Sequence, residues 1–199
     1  MGNKYGVQSD PYCWPGTTVL RNQLGIRDQA TLEDAEAEFA AVALERIAIA
    51  APPFDLDYLR HLHRQLFGDV YEWAGELRRV DIAKGSTRFC TASRIAPEAE
   101  QVMRALESSL DAEAWPAALG HAAECFGEIN LIHPFREGNG RALRLFFEHL
   151  FVVNGMAIDW GRIERDEWLA ACIAAVACDN SQLASLFGRC VITAPLSQT

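Results

Sequence analysis

The feature that most constrains this chain is a pair of apolar runs at helical spacing, separated by a short segment that can continue neither. Upstream, Trp115-Pro116 opens a run to Ile132 in which Leu119, Ala122, Ala123, Phe126 and Ile129 share one side. Downstream, Leu143, Phe146, Phe147 and Leu150 repeat the pattern to about Val153, where Asn154-Gly155 gives the stop. Between the two runs, Pro134 disfavours helical angles at His133, which the sequence therefore predicts to be extended, and Gly138-Asn139-Gly140 precedes the second helix. The prediction is two helices buried in one core, with the loop between them held at their ends.

The rest of the chain reads as mainly α. From Thr17 the pattern turns helical, with Thr31 as a cap before a run from Leu32 to Ala50 that Pro52-Pro53 ends. The face of that run through Leu32, Ala35, Glu36 and Phe39 is mixed. Asp55 to Leu66 is a further helix, with Leu56, Leu59, Leu62, His63 and Leu66 on one side and Gly68 as its stop; others run from Pro97 to about Leu110, Arg165 to Ala177 and Gln182 to Val191. Residues 77–95 differ: Val80, Ile82, Thr87 and Phe89 flank Lys84-Gly85-Ser86, a β-hairpin signal, and a lone hairpin is marginally stable, which suits a mobile flap. The expected organisation is an N-terminal arm over 1–16, tacked down by Tyr5, Tyr12 and Trp14, one domain over 17–194, and a frayed tail over 195–199. A chain of 199 residues holds one domain of ordinary size.

The formal net charge of −9 argues against a broad grip on nucleic acid or an anionic membrane, so any bound phosphate needs a local device. No stretch has the 18 apolar residues of a membrane span, and the N-terminus lacks an apolar leader. Six cysteines without a C-x-x-C pair read as mostly buried thiols of a reducing cytosol. Zinc-ligand spacings are missing too, since His61 and His63, two apart, diverge on a helix. The expected location is the cytoplasm.

The local device is the segment 133–144. Gly138, Asn139 and Gly140 begin a helix whose first N–H groups lack intrahelical partners and are not blocked by a Cβ, which makes an anion hole. Arg141 and Arg144, three apart, project from neighbouring turns toward one place. Arginine in a first turn opposes the helix macrodipole, and a bound polyphosphate reverses that sign. Glu137 offers the hard oxygen that Mg²⁺ takes when it bridges phosphates, and His133 has the pKa range of a base for an attacking hydroxyl. Taken singly, a His before Pro is a hydrogen-bonding residue, Phe135 is core and Gly-Asn-Gly is a turn; their coincidence in one loop points to a nucleoside triphosphate. No Walker-type or dinucleotide glycine motif occurs.

The string HPFREGNGRALR fills every specified position of the Fic motif, HxFx(D/E)GNGRxxR, so the chain resembles the Fic (Fido) family. HRQLFGDVYEWAGELR (63–78) and VDIAKGSTRFC (80–90) resemble further stretches of that family, and YCWPGTTVLRNQLGI (12–26) resembles short bacterial Fic toxins. The resemblance implies a helical Fido fold with a hairpin flap, and transfer of AMP from ATP to a hydroxyl of a target protein with release of pyrophosphate. It implies that His133 is the base, that Glu137 holds Mg²⁺, that Gly138, Asn139 and Gly140 form the anion hole, and that Phe135 anchors the loop. Arg141 and Arg144 are then on the β- and γ-phosphates, and the flap, with Ile82, Lys84 and Phe89, holds the target segment by strand addition. Adenine is expected near 168–180.

Many Fic proteins are silenced by a helix carrying Ser/Thr-x-x-x-Glu/Asp-Gly/Asn, whose acid pairs with the second motif arginine, and this chain has no such motif. That implies a toxin of the bacterial cytoplasm restrained by a small separate antitoxin bearing the helix. Targets of the toxins it resembles include the ATPase subunits of DNA gyrase and topoisomerase IV. Two alternatives stand beside this reading. One is a Fic enzyme moving another group, such as UMP, phosphocholine or phosphate, which the intact Gly-Asn-Gly-Arg disfavours. The other is a non-catalytic binding module, against which an intact base, metal ligand and arginine pair weigh.

Overall fold

The computed structural model describes residues 10–49, 53–112 and 118–193, apart from the side chains of 109–112 and 193. Along the described chain run α1 (Gln29–Leu44), α2 (Leu56–Phe67), β1 (Ala83–Lys84), β2 (Thr87–Arg88), α3 (Ile95–Ala112), α4 (Ala118–Ile132), α5 (Asn139–Val153), β3 (Met156–Ile158), α6 (Arg165–Val176), α7 (Ser181–Cys190) and β4 (Val191–Thr193). The chain is mainly α, as its periodicity predicts. Tyr5, the Trp115-Pro116 opening and the tail over 195–199 lie outside the described residues.

The two apolar runs form the centre. Ala122, Ala123, Phe126 and Ile129 of α4 and Leu143, Phe146, Phe147 and Leu150 of α5 are all buried. Phe126, Phe147 and Phe187 interlock, with ring centroids 5.2 Å apart for Phe126–Phe147 and 5.6 Å for Phe126–Phe187. Each fully buried aromatic of this kind contributes roughly 1.5–3 kcal/mol through its area alone. The centre therefore fixes the ends of α4 and α5, and with them the loop between.

Four local expectations change. Residues 17–28 are not helical: Cys13 bridges Leu20, and Asn22 accepts from Ile26 N at 2.9 Å while donating to Ile26 O at 2.7 Å. A side-chain amide that closes a loop on the backbone in this way competes with helix. The cap of α1 is Asp28 rather than Thr31, with the carboxylate accepting from both the Thr31 N–H (2.9 Å) and the Thr31 hydroxyl (2.7 Å). The helix ends at Leu44, short of Ala50. A second antiparallel pair, β3 with β4, has no sequence signal, because three-residue strands are too short to show a period of two.

The hairpin forms as predicted, with Ala83 opposite Arg88, Lys84 opposite Thr87, and Gly85 at φ +60° in the turn. All six thiols are free; Cys13, Cys125 and Cys190 are buried, Cys90 and Cys172 half-buried, and Cys178 exposed. No helix among the described residues is long and apolar enough to cross a membrane. In the arm, Tyr12 packs edge-on against Trp73 at 5.5 Å and Trp14 Nε1 donates to Ile26 O at 3.1 Å.

Candidate active site

Helix α4 gives up its regular path at His133, whose N–H still donates to Ile129 O at 2.9 Å. The residue is not extended as predicted; it sits at φ +52°, in the left-handed region. Proline at 134 disfavours the right-handed helical angles, and a single left-handed residue completes the last α4 hydrogen bond while turning the chain out of the helix. For a side chain with a Cβ this strain costs of order 1–3 kcal/mol, so the surroundings must hold it.

Arg78, only 2% exposed, does much of the holding. Its guanidinium donates to the carbonyls of His133 (2.8 Å), Val80 (2.6 Å), Ile132 (3.1 Å) and Cys90, and its own N–H to Pro134 O (2.9 Å). One side chain thus caps α4 and ties both ends of the hairpin segment to the loop. Phe135 is buried and stacks on His63 at 3.9 Å. His63 in turn donates from Nε2 to Glu137 O and accepts at Nδ1 from Gly75 N, both at 2.9 Å. Full burial pulls the His63 pKa down to about 4, so it is a neutral spacer.

Asn139 closes the loop on itself: its Oδ1 accepts from Phe135 N and its Nδ2 donates to Phe135 O, each at 2.8 Å. Gly138 adopts φ +79°, and a Cβ there would stand 2.5 Å from a carbon of the Phe67 ring. Arg136 lies under the loop in an ion pair with Asp10, both almost fully buried, Nε to Oδ2 at 2.7 Å.

The opposite side of the loop faces a cavity of about 530 Å³. His133, Glu137, Asn139 and Gly140 line it from the loop, Asn130 from α4, Lys84 to Thr87 and Phe89 from the hairpin, and Trp168, Leu169, Cys172, Ile173 and Val176 from α6. The volume suits a small-molecule ligand. His133 Nδ1 is 3.1 Å from Asn130 O, an acceptor, which puts the proton on Nδ1 and makes Nε2 the basic nitrogen. The Phe89 ring stacks on the imidazole at 4.0 Å. Burial lowers the His133 pKa to about 4, so the ring is neutral at pH 7. Glu137 Oε1 accepts from Gly138 N at 3.1 Å. A Cβ at Gly140 would meet nothing within 4 Å, so the protein leaves open space over the first turn of α5.

The structure thus brings His133, Glu137, Asn139, Gly140, Lys84 and Phe89 together. Ile82 is buried, at 2% exposure, and does not line the cavity. Neither Arg141 nor Arg144 is among the lining residues. Arg141 donates from Nη2 to Glu36 Oε2 at 2.5 Å and lies over the Phe67 ring at 4.6 Å. The conflict between Arg141 and the α5 macrodipole is therefore relieved by a carboxylate of this chain, an anion that reading the motif alone does not supply. Arg144 Nε donates to Gly140 O at 3.3 Å, and burial followed by the charge of Arg141 lowers its pKa.

Sequence reasoning misses Asp10, Glu36 and Arg78 as parts of this site. Glu36 carries a weak signal, since it falls between Leu32 and Ala40 on the buried line of α1. Asp10 carries none, because its partner lies 126 positions away. Arg78 closes a stretch distinguished only by its resemblance to other proteins.

Chemically, the cavity combines a neutral imidazole base, a carboxylate and the N-terminal turn of a helix beside two arginines. The Fic/DOC family profile matches residues 53–151. The protein adenylyltransferase VbhT of Bartonella schoenbuchensis is 41% identical over 194 residues, which is 94% of this chain and 40% of that protein. This chain thus spans well under half of that relative. The probable protein adenylyltransferase Fic of Escherichia coli K12 is 37% identical over 203 residues, covering 100% of both chains. Among solved structures, the BepC effector of Bartonella tribocorum with bound AMPPNP is similar at a TM-score of 0.83 and 27% identity, over 92% of this chain and 97% of that one.

Proposed function

The chain belongs to the Fic/DOC family, and from that premise we propose that its cavity transfers AMP from ATP to a hydroxyl side chain of a target protein. Relatives along its whole length are named protein adenylyltransferases, and the chain is a nucleotidyltransferase of that kind. The observation that carries the reading is His133 with its Nδ1 on Asn130 O, lining one cavity with Glu137 and the open first turn of α5.

In this mechanism the target hydroxyl attacks the α-phosphorus of ATP. A new O–P bond forms, the bond from that phosphorus to the α–β bridging oxygen breaks, and pyrophosphate leaves with the electron pair. His133 Nε2 takes the hydroxyl proton; being neutral at pH 7, it is ready to accept one. Backbone N–H groups at the start of α5 and the guanidiniums of Arg141 and Arg144 bind the phosphates and stabilise charge on the leaving pyrophosphate. The Glu137 carboxylate in the cavity fits Mg²⁺, which prefers one or two protein carboxylates with phosphate and water oxygens. Bound there, the ion would neutralise phosphate charge. The apolar α6 wall, Trp168, Leu169 and Cys172, takes the base, and the hairpin holds the target strand so that its hydroxyl lies in line.

The enzyme is a toxin of the bacterial cytoplasm, restrained by a small antitoxin that brings the inhibitory helix this chain lacks, and the ATPase subunits of gyrase and topoisomerase IV are the first targets to assay. The deciding experiment incubates the protein with α-labelled ATP or UTP, Mg²⁺ and bacterial lysate, beside a His133→Ala variant. Label on a protein band only with ATP and only with His133 is expected. Label from UTP instead makes it a UMP transferase, and no label from either sinks AMP and UMP transfer. Growth arrest on solo expression is the expected sign of the toxin, and harmless expression of active enzyme removes that role.

A further inference from the structure

A carboxylate from outside the motif holds one of its arginines. On α1, Leu32, Glu36 and Ala40 form a single buried line, and Glu36 is 5% exposed. A charge placed there needs partners on every side. It has two: the Tyr71 hydroxyl donates to Oε1, and Arg141 Nη2 donates to Oε2 at 2.5 Å. Burial pushes the Tyr71 phenol up, which keeps it an O–H donor.

The pair is asymmetric. The Glu36 side chain is 7% exposed and the Arg141 side chain 29%, whereas Arg136 and Asp10 are sealed at both ends, at 2% and 1%. Beneath the Arg141 guanidinium lies the Phe67 ring, and the same ring blocks a Cβ at Gly138. Arg141 is therefore gripped from the protein side by an anion and an aromatic face while its other side meets solvent one residue from Gly140. A guanidinium carries five N–H donors, and one carboxylate contact does not exhaust them.

We propose that Glu36 is a positioning residue for Arg141: it mounts the guanidinium so that the remaining donors meet the polyphosphate, and Tyr71 locks the mount. This rests on the adenylyl-transfer reading, in which Arg141 binds phosphate. Glu36 does not line the cavity, so it acts through Arg141 and not on the nucleotide.

The test measures binding of a fluorescent ATP analogue with Mg²⁺, and transfer from α-labelled ATP, for Glu36→Ala, Glu36→Gln, Tyr71→Phe, Arg141→Ala and the Glu36→Ala/Arg141→Ala double variant. Melting curves report the folded fraction of each. Glu36→Ala is expected to weaken analogue binding about 10- to 100-fold per folded molecule, the range of a charge-assisted hydrogen bond. Glu36→Gln, which keeps an acceptor at the same place, recovers part of it. The double variant binds no worse than Arg141→Ala, because a mount has nothing to do once its arginine is gone; a purely structural role gives additive losses.

Wild-type binding by Glu36→Ala beside a crippled Arg141→Ala overturns the proposal, as does tighter binding by Glu36→Gln, which would mark an inhibitory contact. If Glu36→Ala does not fold, Glu36→Gln and Tyr71→Phe carry the same comparison. Tight analogue binding with no transfer to any protein would instead strike at the adenylyl-transfer reading and leave the mount standing. Undiminished binding by Arg141→Ala removes both the phosphate role and the mount.

Discussion

The loop from His133 to Arg141 has two sides, and they are built to different demands. Toward the interior, Phe135, Arg136, Gly138 and Asn139 each meet a specific occupant: the His63 ring, the Asp10 carboxylate, the Phe67 ring and the Phe135 backbone. Toward the cavity, His133, Glu137 and Gly140, joined by Asn139, which serves both sides, face the space in which a ligand would lie. The inner residues keep the outer ones in place, including the strained φ of His133. Under that division, changes on the inner side show first as lost stability and changes on the outer side as lost nucleotide chemistry.

The largest effect expected is at the seal between arm and loop. Asp10→Asn keeps the shape but removes the carboxylate charge paired with the buried Arg136 guanidinium, a change that costs about 3–5 kcal/mol. Urea unfolding reads this directly, and a loss below about 1 kcal/mol would show that the arm is not needed to hold the loop. Next comes Gly138→Ala. Its Cβ would sit 2.5 Å from the Phe67 ring at a backbone φ of +79°, so both strain and overlap oppose it. A loss of about 1–3 kcal/mol is expected. Because Phe67 also lies under Arg141, analogue binding should fall as well.

The two sides are unequally legible in the sequence. The outer His133, Glu137 and Gly140 stand within one short segment with the inner Gly138 and Asn139 and with Arg141 and Arg144, so local rules about prolines, glycines and helix starts single all of them out, although neither arginine lines the cavity. The props come from residues 10, 36, 63 and 78, and a one-dimensional pattern cannot pair Asp10 with Arg136. Fold class follows from periodicity because α2, α4 and α5 bury regular faces, whereas α1 buries Glu36 in its line and is capped three residues ahead of the threonine that its pattern suggests. Gly138 and Gly140 look alike in sequence, and only packing shows that one is required by Phe67 and the other by nothing in the protein.

Histidines lie on both sides, His63 inside and His133 at the cavity, each drawn down to about 4 by burial. Their folded values lie below the ordinary 6.5, so between about 4 and 6.5 the unfolded chain binds more protons than the folded one. Stability should therefore fall as pH drops through that window, by about 1.4 kcal/mol per pH unit for each fully shifted histidine, and these groups should add no slope above it. The catalytic readout separates the two. The acid limb of kcat/KM reports the base of the free enzyme, so it is expected near 4 and well below 6.5. An acid limb at 6.5 would mean that the imidazole at the cavity is not the buried, neutral ring seen beside Phe89.

The smallest stability effect belongs to Gly140→Ala, and it is the sharpest test of the two-sided loop. The position is on the first turn of α5, and a Cβ there touches nothing within 4 Å, so the folded protein has no steric objection. Alanine also has the better helix propensity, by up to about 1 kcal/mol. Unfolding should thus show a change between zero and a slight gain. The same methyl group stands in the space over the N–H groups at the helix start, where the phosphates are proposed to lie. ATP-analogue binding and AMP transfer are therefore expected to drop while the melting temperature holds or rises. Loss of stability at Gly140, or unimpaired binding, would mean that the cavity side of the loop is not where the polyphosphate sits.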